Sequence, residues 1–101
     1  MSNKYELYGE AIARAKAQVK LLEWAEKIGI ETRGSYARHC PFCQGKGKFH
    51  IRETARCYSS SCSGNKAMDH IGLMRAIKGC DFRQAGDALL EYANIRNPYH
   101  S

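Results

Sequence analysis

Apolar side chains recur three or four positions apart along the first part of the chain. The residues of this stripe are Tyr5, Tyr8, Ile12, Ala15, Val19 and Leu22. Such spacing is typical of an amphipathic helix, and the stripe continues to Ile28 before Gly29, a good helix stop. The pattern predicts helical structure over residues 4–28. A break near Ala17 and Gln18, which makes two helices, stays open.

Aromatic residues on this stripe have two interpretations. Tyr5, Tyr8 and Trp24 could form a stacking surface for bases, or they could pack in the core. Aromatic residues at helical spacing are more often core residues. We therefore predict that these three side chains are buried.

Two further helices are predicted towards the end of the chain. One covers residues 66–78 and stops at a glycine. The other covers residues 82–95, and Asp81 together with Gln84 three positions later makes the capping box at its start. The last residues, from Asn97 onward, are expected to fray because chain ends are poorly ordered unless they are tied down.

A hairpin is predicted between the helical segments. Residues 48–52 alternate polar and apolar side chains, as a strand does. A turn at Glu53 and Thr54 sets the register. The predicted pairs are Ile51 with Arg56, His50 with Cys57, and Phe49 with Tyr58. In this register Arg56 and Tyr58 share a face with Phe49 and Ile51. We expect Phe49 and Ile51 to pack on the helices.

Four of the five cysteines form two close pairs. Cys40 and Cys43 are separated by two residues, Cys57 and Cys62 by four, and thirteen residues lie between the pairs. Two cysteine pairs that bracket a short hairpin are the ligand set of a tetrahedral zinc site. The spacing predicts one Zn²⁺ held by these four thiolates.

Disulfides, inert buried cysteines and an iron–sulfur centre are the alternatives. The first residues lack the apolar core of a secretory signal, and no run approaches the roughly 18 apolar residues of a membrane helix. We therefore expect a cytoplasmic protein with no membrane partner, and in that reducing compartment paired cysteines more often bind metal. The hairpin spacing favours zinc over iron–sulfur.

Two other residues lie close to these motifs. His39 precedes a predicted ligand, but adjacent strand residues point in opposite directions, so we do not assign it to the metal. Cys80 follows Gly79 at a predicted helix junction. A cysteine in that position is more often a small buried apolar residue than a ligand.

The positive charge of the chain is concentrated on the cysteine segment, which we define as residues 35–64. The chain has a net charge of +6, and this segment has five Lys or Arg residues against one Glu, or +4. Four thiolates on a zinc ion contribute −2, which leaves about +2. This charge suits a nucleic-acid contact of modest affinity, although a solvated basic face stays open. The candidate nucleic-acid-binding residues are Arg38, Lys46, Lys48, His50, Arg52, Arg56 and Tyr58.

The elements predict a single α+β domain over residues 1–101: a small antiparallel zinc ribbon of about three strands, flanked by N-terminal and C-terminal helices. Its motifs resemble the zinc-binding domain of bacterial and phage DNA primases. They are Cys-Pro-Phe-Cys at residues 40–43, Lys-Phe-His-Ile at 48–51, Ala-Arg-Cys-Tyr at 55–58 with Cys62 beyond, a helix with Asp69 near its start, and the terminal helix. The resemblance covers about residues 12–95.

The resemblance implies that Cys40, Cys43, Cys57 and Cys62 are the four zinc ligands. Cellular primases usually have histidine at the position of Cys43, and a cysteine there is closer to some phage members. The four-residue spacing of the second pair departs from the usual two. The resemblance also implies a domain that contacts template DNA, expected to be single-stranded, and helps to select where primers start. Polymerisation belongs to a separate catalytic domain.

No catalytic site is evident in this chain. It has no Asp-x-Asp pattern for magnesium and no Gly-rich phosphate loop, and four thiolates leave a zinc ion without an open position. We expect either a fragment of a primase or a stand-alone accessory protein of a phage or mobile element. A primase catalytic domain, a polymerase and a helicase are the candidate protein partners. The second hypothesis is a zinc-stabilised protein-interaction module that docks through residues 4–28.

Overall fold

The computed structural model describes residues 3–99, which form four helices and four strands. In chain order these are α1 (Lys4–Gln18), α2 (Leu21–Lys27), β1 (Thr32–Arg33), β2 (Tyr36–Ala37), β3 (Phe49–Ile51), β4 (Ala55–Cys57), α3 (His70–Lys78) and α4 (Phe82–Ala93). The strands form one antiparallel sheet in the order β1-β2-β3-β4. The α+β class is confirmed. The sheet has four strands, not about three, because β1 and β2 add a short hairpin.

The predicted helical segment 4–28 is divided in two between α1 and α2. Val19 and Lys20 have extended backbones there, with ψ angles of 122° and 137°. The break leaves the Val19 carbonyl free of the helix, and it accepts a buried hydrogen bond of 2.6 Å from Nε2 of His70. Burial lowers the pKa of His70, which favours the neutral imidazole. Within residues 3–99 no helix is long and apolar enough to cross a membrane.

Two of the three aromatic residues predicted to be buried are in the core. Trp24 is 1% exposed, and its indole N–H donates to the carbonyl of His70 at 3.0 Å. Tyr8 is also buried, and its hydroxyl donates to Oδ1 of Asp87 at 2.9 Å. The prediction is wrong for Tyr5, which is 79% exposed. Tyr8 already contacts the first turn of α4, so Tyr5, one turn earlier on α1, has no part of α4 beside it.

The third helix begins at His70, not at residue 66 as predicted. Met68 pairs with Ala55 of β4 through two backbone hydrogen bonds of 2.8 and 2.9 Å, which keep this part of the chain extended. Asp69 then caps the helix, because its side chain accepts from the Gly72 N–H at 2.7 Å. The helical periodicity of the sequence did not reveal this long-range pairing.

The C-terminal end of the described chain is tied down. Helix α4 ends before Asn94, which takes a left-handed conformation with φ 58°, and not at residue 95 as predicted. Asn97 is only 9% exposed and donates to Oδ1 of Asp87 at 2.8 Å. Tyr99 packs on Tyr8 with 5.3 Å between ring centroids. The expected fraying is therefore wrong for these residues, and residues 100–101 lie outside the described part of the chain.

Helices α1 and α4 pack closely at Gly86 of α4, whereas Gly9 of α1 faces open space. A Cβ at Gly86 would clash with Tyr8 and crowd Ile12 across the helix interface, whereas a Cβ at Gly9 would meet nothing within 4 Å. We expect Gly86→Ala to lower the free energy of unfolding by about 1–3 kcal/mol through overpacking. Gly9→Ala should raise it by about 0.5–1 kcal/mol through helix propensity. Urea unfolding followed by circular dichroism measures both, and shifts of the same sign would contradict this packing.

The β3–β4 hairpin has a register one residue away from the predicted one. Its pairs are Phe49 with Cys57, His50 with Arg56, and Ile51 with Ala55. Three residues form the connection where two were predicted, and the N–H of Arg52 donates to the carbonyl of Thr54 at 3.0 Å. Because side chains alternate along a strand, this slip moves Arg56 and Tyr58 to the face opposite the predicted one. The apolar residues of β3 are buried, as expected.

Candidate metal centre

The four paired cysteines meet at one end of the sheet. Their Sγ atoms all lie within 4.8 Å of one another, with 3.6 Å between those of Cys40 and Cys62 and 3.8 Å between those of Cys43 and Cys57. In a tetrahedral thiolate site, zinc–sulfur bonds of about 2.3 Å place the sulfurs about 3.8 Å apart. A disulfide requires about 2.05 Å, so the cysteines are free. The cluster has the geometry to hold one metal ion.

Two Sγ atoms of the cluster accept a hydrogen bond from the backbone N–H two residues later: Phe42 donates to Cys40 at 3.4 Å and Gly64 donates to Cys62 at 3.3 Å. The backbone N–H groups of Gly45 and Ser59 act in the same direction on the pKa values of Cys43 and Cys57, which they lower. These N–H groups stabilise negative charge on the sulfurs. A turn accommodates the four-residue spacing of the second pair, because the Cys62 N–H donates to the carbonyl of Ser59 at 3.1 Å.

The sulfurs have unequal electrostatic environments. Burial raises the pKa of Cys40 to about 12, and burial also raises the pKa of Cys57. The N–H of Gly45 lowers the pKa of the exposed Cys43 to about 7. A bound divalent cation would favour the charged form of all four thiols, because it places positive charge next to each sulfur.

Phe42 holds the two cysteine loops together. Its ring packs on that of Phe49 with 5.9 Å between centroids. It also lies against Gly64, where an added Cβ would come within 2.5 Å of Cδ2 of the ring. Sequence reasoning missed this contact, because no local pattern links residues that are 22 positions apart.

The remaining candidate ligands lie outside the cluster. Within residues 3–99 the only group of metal-ligating side chains found consists of the four paired cysteines. His39 is exposed, and its backbone forms a bridge with Lys46. The thiol of Cys80 is directed at the carbonyl of Met74, with 3.9 Å between Sγ and the oxygen.

The seven predicted nucleic-acid-binding residues divide into two groups. Lys48, His50, Arg52, Arg56 and Tyr58 lie on the face of the β3–β4 hairpin opposite to the core; Arg38 and Lys46 lie beside the first cysteine pair. His50 is half-buried and the other six are exposed. We call the solvent-facing side of β1–β4, with its flanking Lys48, Arg52 and Tyr58, the outer face of the sheet.

Aromatic rings and cations are neighbours across the outer face. Tyr36 of β2 lies opposite His50, with 6.2 Å between ring centroids, and the rings of His50 and Tyr58 are 4.9 Å apart. The guanidinium of Arg56 lies 5.5 Å from the Tyr58 centroid, and Arg33 of β1 pairs with Tyr36. Sequence reasoning missed Tyr36 as a surface residue. No alternation signalled it, because Tyr36 and Ala37 are adjacent apolar residues between Ser35 and Arg38.

Comparison with known proteins assigns no family to this chain. A scan against protein families, a search of curated proteins and a search of solved structures each find no match. The cysteine cluster and the outer face of the sheet are therefore the observations from which a function can be inferred.

Proposed function

We propose that this chain is a zinc-stabilised module that binds single-stranded DNA through the outer face of the sheet. The observation that carries the proposal is the row of Tyr36 on β2, His50 on β3 and Tyr58 directly after β4, with Arg56 beside the last ring. Aromatic side chains beside cations are the usual means of binding a single strand, because bases stack on the rings while the cations neutralise phosphates.

Zinc is the metal that the donor set fits best. Four thiolates in a tetrahedron are typical of structural zinc, and the Sγ separations of 3.6 and 3.8 Å agree with that geometry. Cys40, Cys43, Cys57 and Cys62 would all be occupied as ligands. The ion would fix the two cysteine loops and leave no open position for a substrate.

The spacing of the exposed side chains favours a single strand over a duplex. Neighbouring strands of a sheet are about 4.8 Å apart, so rings on adjacent strands can each meet a base or a sugar of an extended strand. A duplex hides the faces of its bases, so rings on the surface of the sheet can stack on the unpaired bases of a single strand and not on those of a duplex. The +4 of the cysteine segment falls to about +2 with the zinc thiolates, which predicts moderate affinity.

The resemblance to primase zinc-binding domains suggests the process. In that setting the module contacts template DNA, and a separate catalytic domain synthesises the primer. The same chemistry would serve as part of a primase chain or as an accessory protein of a phage or mobile element. The competing function is protein docking through the helices, and DNA binding distinguishes the two.

Titration of short single-stranded oligonucleotides across a salt series tests the proposal. Lys48→Ala and Arg52→Ala should each reduce the salt slope by about 0.7, because one phosphate contact is lost. Tyr36→Ala and Tyr58→Ala should each cost about 1–3 kcal/mol of binding free energy with the slope nearly unchanged, since stacking releases no counterions. Lys20→Ala, which removes an exposed cation outside the sheet, is the control.

Two results would contradict the proposal. If the four sheet variants bind like the parent while Lys20→Ala abolishes binding, the helices are the DNA site. If the parent binds no oligonucleotide at any salt concentration, protein docking becomes the leading function.

A further inference from the structure

We propose that a groove beside α1 binds an acidic amphipathic helix of a partner protein. The groove, here the α1 groove, lies between α1 and the chain that follows α4, and has a volume of about 480 Å³. Its residues are separate from the cysteine cluster and from the outer face of the sheet. The inference therefore does not depend on the proposed DNA binding.

The floor of the α1 groove is apolar. Leu7 and Ala11 line it from α1, and Pro98 lines it from the C-terminal segment. Leu7 is 41% exposed, while the neighbouring Tyr8 is buried against α4. Ala11 is 5% exposed and belongs to the core, so Leu7 is the exposed apolar side chain on this side of α1, and it is the side chain that an apolar anchor of a partner can cover.

Cations flank this apolar floor. Lys4 lies at one end of the lining stretch of α1 and Arg14 at the other, and Arg96 lines the opposite wall. Glu10 is the acid among the lining residues, which leaves +2 from three cations and one carboxylate. Within residues 3–99 none of these four side chains is in an ion pair of 4.0 Å or less. A partner with carboxylates around an apolar anchor would complement this charge pattern.

The shape of the groove favours a helix as its occupant. Residues 4–14 of α1 line it over ten residue steps, about 15 Å, which is nearly three turns of a helix lying alongside. Helices that bind in such grooves place apolar anchors at positions i, i+3 or i+4, and i+7. A second copy of this chain would bring the same excess of positive charge to the groove, and like charges across an interface oppose association.

Selection from a displayed library of helical peptides with randomised surface positions tests the inference on the full zinc-loaded chain. We expect the selected peptides to have apolar residues at helical spacing flanked by Asp and Glu. In titrations of synthetic peptides, Leu7→Lys and Arg14→Glu should each weaken binding by about tenfold or more, as anchor and charge variants do. Lys27→Glu, a charge reversal on the exposed part of α2, should leave binding unchanged.

Amide chemical shifts and sedimentation complete the test. Bound peptide should change the amide chemical shifts of Leu7, Ala11 and the residues on either side of Pro98. The inference is overturned if no helical peptide is selected or if the selected peptides show no acidic excess. It is also overturned if Leu7→Lys does not weaken the binding of the selected peptides. Self-association of the parent that Leu7→Lys abolishes would also overturn it, because the groove would then hold a second copy. Tyr58→Ala should not affect peptide binding, so failure of the DNA proposal is recognised separately.

Discussion

Cys57→Ser is expected to abolish metal binding and to unfold the cysteine segment. The strands there are only two or three residues long, and the backbone pairs between them are few. A structural zinc ion provides about 10–16 kcal/mol of apparent binding free energy, which is comparable to the whole stability of about 5–15 kcal/mol typical of a domain. The buried Cys57 is also the last residue of β4, so its loss would disconnect a bound ion from this strand of the sheet.

Cys80→Ser is the matched control for this prediction. Cys80 lies outside the cluster, and its thiol has a weak contact with the carbonyl of Met74. Elemental analysis should give about one zinc per chain for the parent and for Cys80→Ser, and none for Cys57→Ser. Amide chemical shifts should show loss of the sheet in the Cys57 variant alone. Equal zinc loss in both variants, or an intact parent that contains no metal, would contradict the assignment.

Trp24→Ala has the second largest expected effect. We expect it to lower the free energy of unfolding by about 3–5 kcal/mol, because it removes a fully buried ring and leaves a cavity. It also leaves the carbonyl of His70 without the indole donor, and Tyr92 without the ring that it packs against at 5.6 Å between centroids. Both losses lie in the helical part of the molecule, away from the cysteine cluster.

Tyr5→Ala is the control for the loss of an aromatic ring. Tyr5 is 79% exposed, so its removal should change the free energy of unfolding by less than about 0.5 kcal/mol. Urea unfolding followed by circular dichroism, at the same zinc concentration for all variants, makes the comparison. Similar destabilisation by the two changes would mean that Tyr5 belongs to the core, as its sequence spacing predicts.

The hairpin register shows how a local error can affect a functional prediction. A two-residue turn puts Arg56 and Tyr58 with the buried residues of β3, whereas the three-residue connection puts them beside His50. The basic and aromatic residues of both strands then share the outer face of the sheet. The length of a turn without Gly or Pro is poorly encoded in the sequence, and a slip of one residue exchanges the two faces.

Sequence by itself determined those features that depend on neighbouring residues. The spacing of Cys40 from Cys43 specifies a tight loop with both sulfurs on one side, and Asp81 with Gln84 specifies the start of α4, where the capping box is present. The helices and the α+β class follow from periodicity, because residues three or four positions apart share a helix face and alternate residues share a strand face.

Only the tertiary structure decided features that join distant residues. The pairing of Met68 with Ala55 shortens α3, and the contacts of Tyr99 with Tyr8 hold the C-terminal segment beside α1. That segment supplies the second wall of the α1 groove. Periodicity identifies which face of an element is apolar, but the end of a neighbouring element determines how much of that face is covered. For this reason Tyr8 is buried and Tyr5, on the same stripe, is exposed to solvent.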